Sequence, residues 1–377
     1  MSIFLTGGSG YLGSYVIHEL LTSSASRLHV MVRAKNRNEA LQKLWRGLQL
    51  HQDEATFLDN LDRIEVVLGD LSAENLGIAE DQRGTLLDSV ESVLHIGASL
   101  NRRSEKSCLN VNLRGTLSVL QLAKDLVDRG QLSRFTHVST VAVAGKRHRE
   151  TVHEAEAIDW ERSDYDAYAR TKKFCEHMAR QLLPADRVQF LRPSIVLGDS
   201  RFPKTTQFDM ARAFCALVDL PVVPLHSDAR LDIVNADFVG SAIARLHLLQ
   251  SPHHDIYHLS SGADAPSAGH IAHVMAQALD RRPSWFVPAL QGAFEGSIGL
   301  GLKLSHDAKG HQLAALLKVF WPYISYDTVF DNTRVKNELG IKPIPFTAYC
   351  AGLYDFAKTH RFQYPYRPMP KISLEVT

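Results

Sequence analysis

Short apolar runs alternate with helical patterns along the first two-thirds of the sequence. Runs rich in β-branched and apolar residues predict six strands, at residues 2–6, 28–33, 64–69, 92–97, 135–140 and 188–192. Residues spaced for helix faces lie between them: Leu12, Val16 and Leu20, then Leu117, Leu120 and Ala123, then a helix over 168–183. Helices that alternate with apolar strands are typical of a parallel sheet covered on both faces. The pattern therefore predicts an α/β, doubly wound fold of the Rossmann type.

After Pro193 this alternation weakens, and prolines separate shorter elements. We predict a nucleotide-binding domain over residues 1–200 and a smaller, interleaved substrate-binding domain over 201–377, with about 230–260 returning to the first domain. Within the second domain, residues 290–320 place leucines on one face. That face predicts a helix packed on the core, and the alternatives are a lid over an apolar substrate or a surface that touches a membrane.

Composition narrows the range of partners. Lysine and arginine number 42 against 41 acidic residues, so the net charge of +1 favours neither nucleic acid nor an anionic membrane. The four cysteines have no C-x-x-C spacing, which indicates reduced thiols in a cytoplasmic protein. No apolar run approaches the ~20 residues of a membrane span, and no basic n-region precedes the first one. His253, His254 and His258 lack a carboxylate at ligand spacing, so we expect surface histidines and no metal site.

A glycine-rich motif, Thr6-Gly7-Gly8-Ser9-Gly10-Tyr11-Leu12-Gly13, follows the first predicted strand and opens the first helix. Gly7 permits a tight turn, Gly10 lets the backbone approach a pyrophosphate, and Gly13 allows the helix to pack closely on the strand. The N–H groups at the helix N-terminus favour a bound phosphate. An ordinary glycine-rich turn is the alternative, but the position between strand and helix favours a dinucleotide site.

The end of the second predicted strand indicates which dinucleotide binds. Twenty residues after Gly13, where NAD enzymes place an acid on the ribose, this sequence has Arg33, with Lys35 and Arg37 after it. A guanidinium pairs with the 2′-phosphate of NADP, so we predict NADPH, the alternative being solvated loop cations. Asp70 ends the third strand, where we predict that it accepts a hydrogen bond from the adenine amino group.

Tyr168 and Lys172 lie four residues apart on one predicted helix face, so both reach the same ribose and the same carbonyl. A tyrosine with a pKa near ~10 exchanges protons poorly at neutral pH, and a neighbouring ammonium lowers that pKa. We therefore predict that Tyr168 is the acid and that Lys172 tunes it. Ser139 and Thr140 end the fifth strand and offer hydroxyls to a substrate oxygen, unless the backbone satisfies them.

Taken in order, TGGSGYLG, the segment Asn112-Leu113-Arg114-Gly115-Thr116, the strand-end hydroxyls and YARTK resemble the extended short-chain dehydrogenase/reductases over roughly residues 1–260. VMVRAK, HVSTVAVAG and LRPSIVLGDS are most similar to the thioester-reductase and fatty acyl-CoA reductase branch, which has a male-sterility-type NAD(P)-binding domain. The family's spacing back from Gly145 implies Thr140 rather than Ser139 as the catalytic hydroxyl. It also implies that Asn112 bends its helix or holds a water, unless Asn112 is only a buried polar group.

The resemblance completes the predicted site. The predicted catalytic residues are Thr140, Tyr168, Lys172 and Asn112. The predicted cofactor contacts are Thr6, Gly7, Gly10, Tyr11, Leu12, Gly13, Arg33, Lys35, Asp70, Leu71, Gly97, Ala98, Ser99, Lys172, Pro193, Ser194 and Val196.

The resemblance implies an NADP-dependent oxidoreductase that reduces a carbonyl, with an acyl thioester on coenzyme A or a carrier protein as the favoured substrate and an aldehyde or alcohol as product. Because the first strand begins at the second residue, we expect any acyl carrier to act in trans. The alternatives are a ketoreductase or hydroxysteroid-type dehydrogenase, a sugar-nucleotide epimerase or dehydratase, and a regulator that senses NADP(H) without turnover. We expect a cytoplasmic monomer or homodimer that binds no nucleic acid.

Overall fold

Seven parallel strands form the central sheet of the computed structural model, which describes residues 1–102, 104–305 and 309–371. In chain order the strands are β1 Ser2–Thr6, β2 Arg27–Val32, β3 Ile64–Leu68, β4 Ser92–His95, β5 Arg134–Val138, β6 Val188–Pro193 and β7 Ile256–Leu259. Across the sheet their order is β3-β2-β1-β4-β5-β6-β7. The order reverses between β1 and β4, and sheets of this kind receive their ligands in the crevice at that reversal. The predicted doubly wound α/β fold is confirmed.

Helices account for most of the remaining chain. They are α1 Tyr11–Ser23, α2 Arg37–Leu48, α3 Glu54–Asp59, α4 Glu80–Ser89, α5 Glu105–Ser107, α6 Gly115–Asp128, α7 Ala167–Leu182, α8 Phe208–Val218, α9 Ala236–Leu248, α10 Ala268–Ala278, α11 Gln291–Gly301, α12 Lys309–Ser325, α13 Thr333–Leu339 and α14 Cys350–Thr359. A π-helical turn, Cys108–Arg114, joins α5 to α6. Single 3₁₀ turns lie at Asn60–Arg63, Glu74–Gly77, Val141–Ala144, Ala185–Arg187, Gly262–Asp264, Pro288–Leu290 and Phe346–Ala348.

Three pairs of two-residue parallel strands lie outside the sheet. They are Ile195–Val196 with Ile233–Val234, Val222–Val223 with Trp285–Phe286, and Thr151–Val152 with Val329–Phe330. The first pair joins the segment after β6 to the segment before α9, and the third joins the segment after β5 to the segment before α13.

The sheet is buried on both faces, which explains why its strands are almost continuously apolar. Successive side chains of β1 point to opposite faces, so Ile3 and Leu5 belong to one apolar core and Phe4 to the other. The first core also contains side chains from α1, α2 and α9, and the second contains side chains from α4, α6 and α7. The strands therefore present their carboxyl ends as a rigid edge between two packed layers.

The six predicted strands are all present, and β7 is a seventh. Two of them, β4 and β5, end two residues earlier than predicted, at His95 and Val138. The residues that follow these two strands leave the sheet and line the cavity described below. One predicted helix face was wrong: Leu120 and Ala123 of α6 are buried, but Leu117 is 37% exposed.

The chain returns to the sheet through α9 and β7. Helix α9 packs so closely on α1 that a Cβ on Gly240 would lie 2.5 Å from the Cβ of Tyr15. Strand β7 then pairs with β6. The C-terminal tail also packs against this layer of helices. The indole N–H of Trp45 in α2 donates to the carbonyl of Pro368 at 2.8 Å. No sequence pattern indicated that last contact.

The leucine-rich segment 290–320 forms two helices, α11 and the first part of α12, and its residues 306–308 lie outside the described residues. The prediction of one core-facing helix was wrong. Leu317 and Ile298 pack in an apolar cluster with Trp321, whereas four leucines of this segment are exposed: Leu290, Leu300, Leu304 and Leu313. Phe320 and Tyr323 of α12 reach the cavity at the sheet edge.

The remaining expectations concern polar groups. The four cysteines are buried and form no disulfide. The expectation of surface histidines was wrong for His258, which is a buried residue of β7 with its Nδ1 3.1 Å from the carbonyl oxygen of Asp331. His253 is exposed and lies 2.9 Å from Glu338. Among the described residues no cluster of three metal-ligating side chains occurs, and no helix is long and apolar enough to cross a membrane.

Candidate active site

A cavity of about 640 Å³ lies along the carboxyl edge of the sheet, beside β1, β4, β5 and β6. Most of the predicted site residues line it: Gly7, Gly10, Tyr11, Leu12, Gly13, Arg33, Asp70, Leu71, Gly97, Ala98, Ser99, Thr140, Tyr168, Lys172, Pro193, Ser194 and Val196. Thr6, Lys35 and Asn112 do not line it. Its volume falls within the ~300–1,000 Å³ typical of small-molecule sites.

The glycine motif makes the floor of one end. Gly7 has a φ of +80°, and a Cβ there would lie 2.6 Å from the backbone nitrogen of Gly97. A Cβ on Gly13 would lie 2.1 Å from the carbonyl oxygen of Gly7. The amide of Gly10 donates to that same carbonyl at 3.1 Å and closes the turn. Only glycine fits this backbone cradle, and it ends at the N-terminus of α1, where free N–H groups favour a pyrophosphate.

Thr6 lies behind the glycine motif, on the side away from the cavity, and supports it by hydrogen bonds. Its hydroxyl lies 2.6 Å from Nδ1 of His95, and it accepts a hydrogen bond from the amide of Gly97 at 3.2 Å. The other ring nitrogen of His95 lies 2.9 Å from the hydroxyl of Thr116. These contacts tie the end of β1 to the end of β4, so Thr6 shapes the cradle without facing the cavity.

Arg33 and Asp70 stand at the far side of the cradle, where β2 and β3 end. The guanidinium of Arg33 is 78% exposed, and its Nη1 lies 3.9 Å from Oδ2 of Asp70. The other carboxylate oxygen of Asp70 accepts from the amide and the hydroxyl of Ser72, each at 2.8 Å. Lys35 lies outside the cavity, and its amide donates to Glu39 at 3.0 Å. Arg33 is thus the cation that lines the cavity at the ends of β2 and β3.

Lys172 lies at the middle of the cavity, under the end of β5. Its ammonium donates to the carbonyl oxygen of Val138 at 2.7 Å, and the side chain is 2% exposed. Burial lowers the pKa of Lys172 to about 8, although Cys175 and Glu176 oppose that shift. Such a group carries its proton at neutral pH and gives it up readily.

Tyr168 lies one helical turn before Lys172 and faces the same cavity. Burial raises the pKa of Tyr168 to about 12, and the guanidinium of Arg102 is the group that lowers this pKa most. That Lys172 tunes the phenol stays a prediction, and a second cation lies closer to the ring face: the guanidinium carbon of Arg102 is 4.6 Å from the centre of the phenol ring. Sequence reasoning missed Arg102, because no motif in the sequence marks it.

Two hydroxyls follow β5 at the cavity wall. The hydroxyl oxygen of Thr140 accepts from the amide of Ala142 at 3.3 Å, which caps the turn Val141–Ala144 and leaves the O–H free to donate. The hydroxyl of Ser139 is buried and has no hydrogen-bond partner among the described residues. Both residues line the cavity, so the geometry keeps Thr140 and Ser139 as candidates to hold a substrate oxygen.

Asn112 connects this region to the loop after β4. It lies in the π-helical turn, where one residue more per turn distorts the helix. Its Oδ1 accepts from the amide of Ser99 at 2.6 Å, and its Nδ2 donates to the hydroxyl of Thr171 at 3.3 Å. Asn112 therefore fixes the cavity loop to α7, the helix that carries Tyr168 and Lys172.

The opposite end of the cavity is made of larger side chains. Its apolar wall consists of Leu100, Val111, Met210 and Phe320. Asp232 also lines it and is 6% exposed, with Oδ1 accepting from the amide of Ser261 at 2.8 Å. Burial raises the pKa of Asp232 to about 7.

The fold and the site together define the class: an NAD(P)-binding oxidoreductase domain of the extended short-chain dehydrogenase/reductase type. A family model described as "Male sterility protein" matches residues 5–243, and the chain belongs to this family.

Relatives of known name agree with that assignment. The chain is 27% identical over 264 residues to the nonribosomal peptide synthetase asaC of Aspergillus flavus, which covers 67% of this chain and 25% of that protein. It is 25% identical over 244 residues to the fatty acyl-CoA reductase wat of Drosophila melanogaster, covering 57% of this chain and 47% of the relative. The chain thus spans a quarter to a half of the length of these two relatives.

Solved structures extend the similarity beyond the nucleotide-binding part. The terminal R domain from the myxalamid PKS-NRPS biosynthetic pathway superimposes with a TM-score of 0.79 at 26% identity, covering 96% of this chain and 91% of that one. Because nearly the whole of both chains superimposes, the likeness includes the last third of the chain, where the sequence had shown no recognisable motif.

Proposed function

We propose that the protein reduces acyl thioesters with NADPH, releasing a thiol and an aldehyde. The observation that carries this proposal is the convergence of Thr140, Tyr168 and Lys172 on the same cavity as the glycine cradle. The fatty acyl-CoA reductase and the terminal R domain among the similar proteins support a thioester as the substrate.

The choice of NADPH over NADH rests on Arg33. It is an exposed guanidinium at the end of β2, where a dinucleotide of this fold places its adenosine ribose. A guanidinium offers paired donors to a phosphate, whereas the ribose hydroxyls of NAD are bound better by a carboxylate. Asp70 lies 3.9 Å from Arg33 and orients it at the rim.

The glycine cradle fits the pyrophosphate of such a cofactor, and Lys172 is placed to bind its nicotinamide ribose. NADPH supplies the hydride when it is bound. In our proposal the hydroxyl of Thr140 donates a hydrogen bond to the thioester oxygen, and Tyr168 gives that oxygen a proton as the new C–H bond forms. The hemithioacetal then breaks its C–S bond, so that the sulfur leaves as a thiol and the carbon becomes an aldehyde carbonyl. Lys172 stabilises the phenolate that Tyr168 leaves behind.

The apolar wall suits the acyl part of such a substrate. Leu100, Val111, Met210 and Phe320 offer surface that excludes water from the reacting carbonyl. We propose that the acyl group arrives on coenzyme A or on a carrier protein in trans. The buried, unpaired cysteines support a reducing compartment such as the cytoplasm.

Substrates offered side by side test the proposed function. Purified protein is mixed with NADPH and with an acyl-CoA, an acyl-pantetheine or a ketone of matched chain length. We expect NADPH oxidation with the two thioesters, release of one thiol per aldehyde, and much slower oxidation with the ketone. Preference for the ketone would instead identify a ketoreductase. NADPH binding without oxidation of any of the three would identify a nucleotide sensor.

A further inference from the structure

Arg102 lies against the phenol that we assign as the acid. Its guanidinium carbon is 4.6 Å from the ring centre of Tyr168 and 4.5 Å from that of Tyr323. Both distances are within the ~6 Å over which a cation is attracted to an aromatic ring. The Arg102 side chain is 16% exposed, so little water screens its charge.

Asp166 holds this guanidinium in place. Nη1 of Arg102 donates to Oδ2 of Asp166 at 3.2 Å, and the hydroxyl of Tyr323 donates to the same oxygen at 2.9 Å. The other oxygen of Asp166 caps α7 by accepting from the amide of Ala169 at 2.8 Å. Because Asp166 is part of the helix that carries Tyr168, the guanidinium has a fixed position relative to the phenol.

We propose that Arg102 is a positioning residue that acts through Tyr168: its guanidinium favours the phenolate formed when Tyr168 gives up its proton, and its contact with Tyr323 brings helix α12 to the wall of the same cavity. This inference rests on the proposed function, in which Tyr168 donates the proton. A guanidinium suits this role because it is planar, can lie on an aromatic face and stays charged at every working pH.

The other groups around Tyr168 act in the opposite direction. Burial raises the pKa of Tyr168, Arg102 lowers it, and Asp166, Cys108 and Cys175 raise it further. Burial also raises the pKa of both thiols, so they are neutral at physiological pH. Tyr323 faces Tyr168 from α12, and Lys172 directs its ammonium to the carbonyl of Val138. Of the groups named here, Arg102 is the cation in contact with the ring.

The charge on Arg102 is tested by substituting Arg102→Met, which keeps most of the apolar stem, and Arg102→Lys, which keeps the charge. Tyrosinate absorbance is followed against pH for each protein bound to NADP⁺, and the Tyr168→Phe variant identifies the signal of Tyr168. We expect Arg102→Met to ionise Tyr168 about one pH unit higher than the wild type. We expect Arg102→Lys to fall between the two, because an ammonium cannot lie flat on both rings.

Turnover gives the second readout. For Arg102→Met we expect kcat with an acyl-CoA to fall roughly tenfold at neutral pH, with its alkaline limit moved upward and the affinity for NADPH unchanged. The matched control is Arg46→Met. Arg46 lies 4.4 Å from the ring centre of Tyr366 and does not line the cavity, so its loss leaves both readouts unchanged.

The titration separates this inference from the proposed function, because it needs no turnover. If the wild type reduces no acyl thioester, the function is wrong but the titration still decides the role of Arg102. Equal titration of Tyr168 in the wild type and Arg102→Met overturns the inference, and so does the absence of a Tyr168 signal below the alkaline unfolding of both. If Arg102→Met does not fold, the comparison of Arg102→Lys with the wild type decides in the same way.

Discussion

The two ends of the cavity are built in different ways. The cofactor end consists of backbone, with Gly7 and Gly13 in contact with carbonyl and amide atoms where a Cβ has no space. The substrate end consists of side chains, with Phe320 and Tyr323 coming from α12 and Arg102 from the loop after β4. A backbone cradle binds what all dinucleotides share, whereas side chains can change without altering the sheet. We infer that cofactor binding is intolerant of substitution and that substrate choice lies with the helical layer.

The largest effect that we expect on cofactor affinity comes from breaking the backbone cradle. Gly13→Ala places a methyl group 2.1 Å from the carbonyl oxygen of Gly7, so the turn has to open. We predict that affinity for NADPH falls roughly 100-fold, or about 2.8 kcal/mol, in a fluorescence titration. The matched change outside the cavity is Gly299→Ala in α11, where nothing lies within 4 Å of the added Cβ. Affinity equal to that of the wild type in Gly13→Ala would refute the cradle.

The second expectation concerns pH, because two buried groups, one in the core beside the sheet and one at the cavity, titrate with opposite sign. Burial lowers the pKa of His247, which lies beneath the sheet, from 6.5 to about 3. The unfolded chain therefore takes up this proton first, and stability is lost as the pH falls below 6.5. Burial raises the pKa of Asp232 from 3.8 to about 7, so its contribution is present below 3.8 and is lost as the pH rises towards 7.

Denaturant unfolding at several pH values checks both signs. Between pH 7 and pH 5, we predict that His247 accounts for about 2 kcal/mol of lost stability, which His247→Gln removes. As the pH rises from 5 to 8, we predict that Asp232 accounts for about 2 kcal/mol of lost stability, and that this loss is absent in Asp232→Asn. Variants with the same pH dependence as the wild type would show that these groups are not buried in the folded state as described.

The smallest expected effect concerns the rim of the cofactor end. Arg33 is exposed and acts through a solvated contact, so its contribution is modest. We predict that Arg33→Ala lowers the preference for NADPH over NADH roughly tenfold, measured as the ratio of the two dissociation constants. Lys35→Ala serves as the control, since Lys35 does not line the cavity. An unchanged ratio in Arg33→Ala would mean that the 2′-phosphate is bound elsewhere.

The cofactor end of the cavity could be predicted from the sequence, whereas much of the substrate end could not. The glycine motif and the pair Tyr168 and Lys172 could be predicted because each is a local pattern on one strand end or one helix. The role of Arg102 could not be predicted, because it depends on a contact with Tyr323, more than 200 residues further along the chain. The packing of Trp45 on the tail is equally remote in sequence.

The errors have physical reasons as well. Leu117 fits the spacing of the α6 face but lies at the edge of the buried stripe. His258 was expected at the surface because no metal ligand lies at the right spacing to pair with it, whereas it is a buried residue of β7 and the carbonyl of Asp331 lies 3.1 Å from its ring nitrogen. The leucines of segment 290–320 were assigned to one face because the pattern does not show where one helix ends and the next begins.

The most direct test of the proposed site is the turnover of Tyr168→Phe with NADPH and an acyl-CoA, measured beside Tyr354→Phe. Tyr354 lies outside the cavity, where its hydroxyl donates to Asp219 at 2.6 Å. Loss of the phenolic proton predicts a decrease in kcat of roughly 100- to 10,000-fold, with NADPH affinity kept and Tyr354→Phe active. If Tyr168→Phe releases thiol and aldehyde at the wild-type rate, Tyr168 is not the acid.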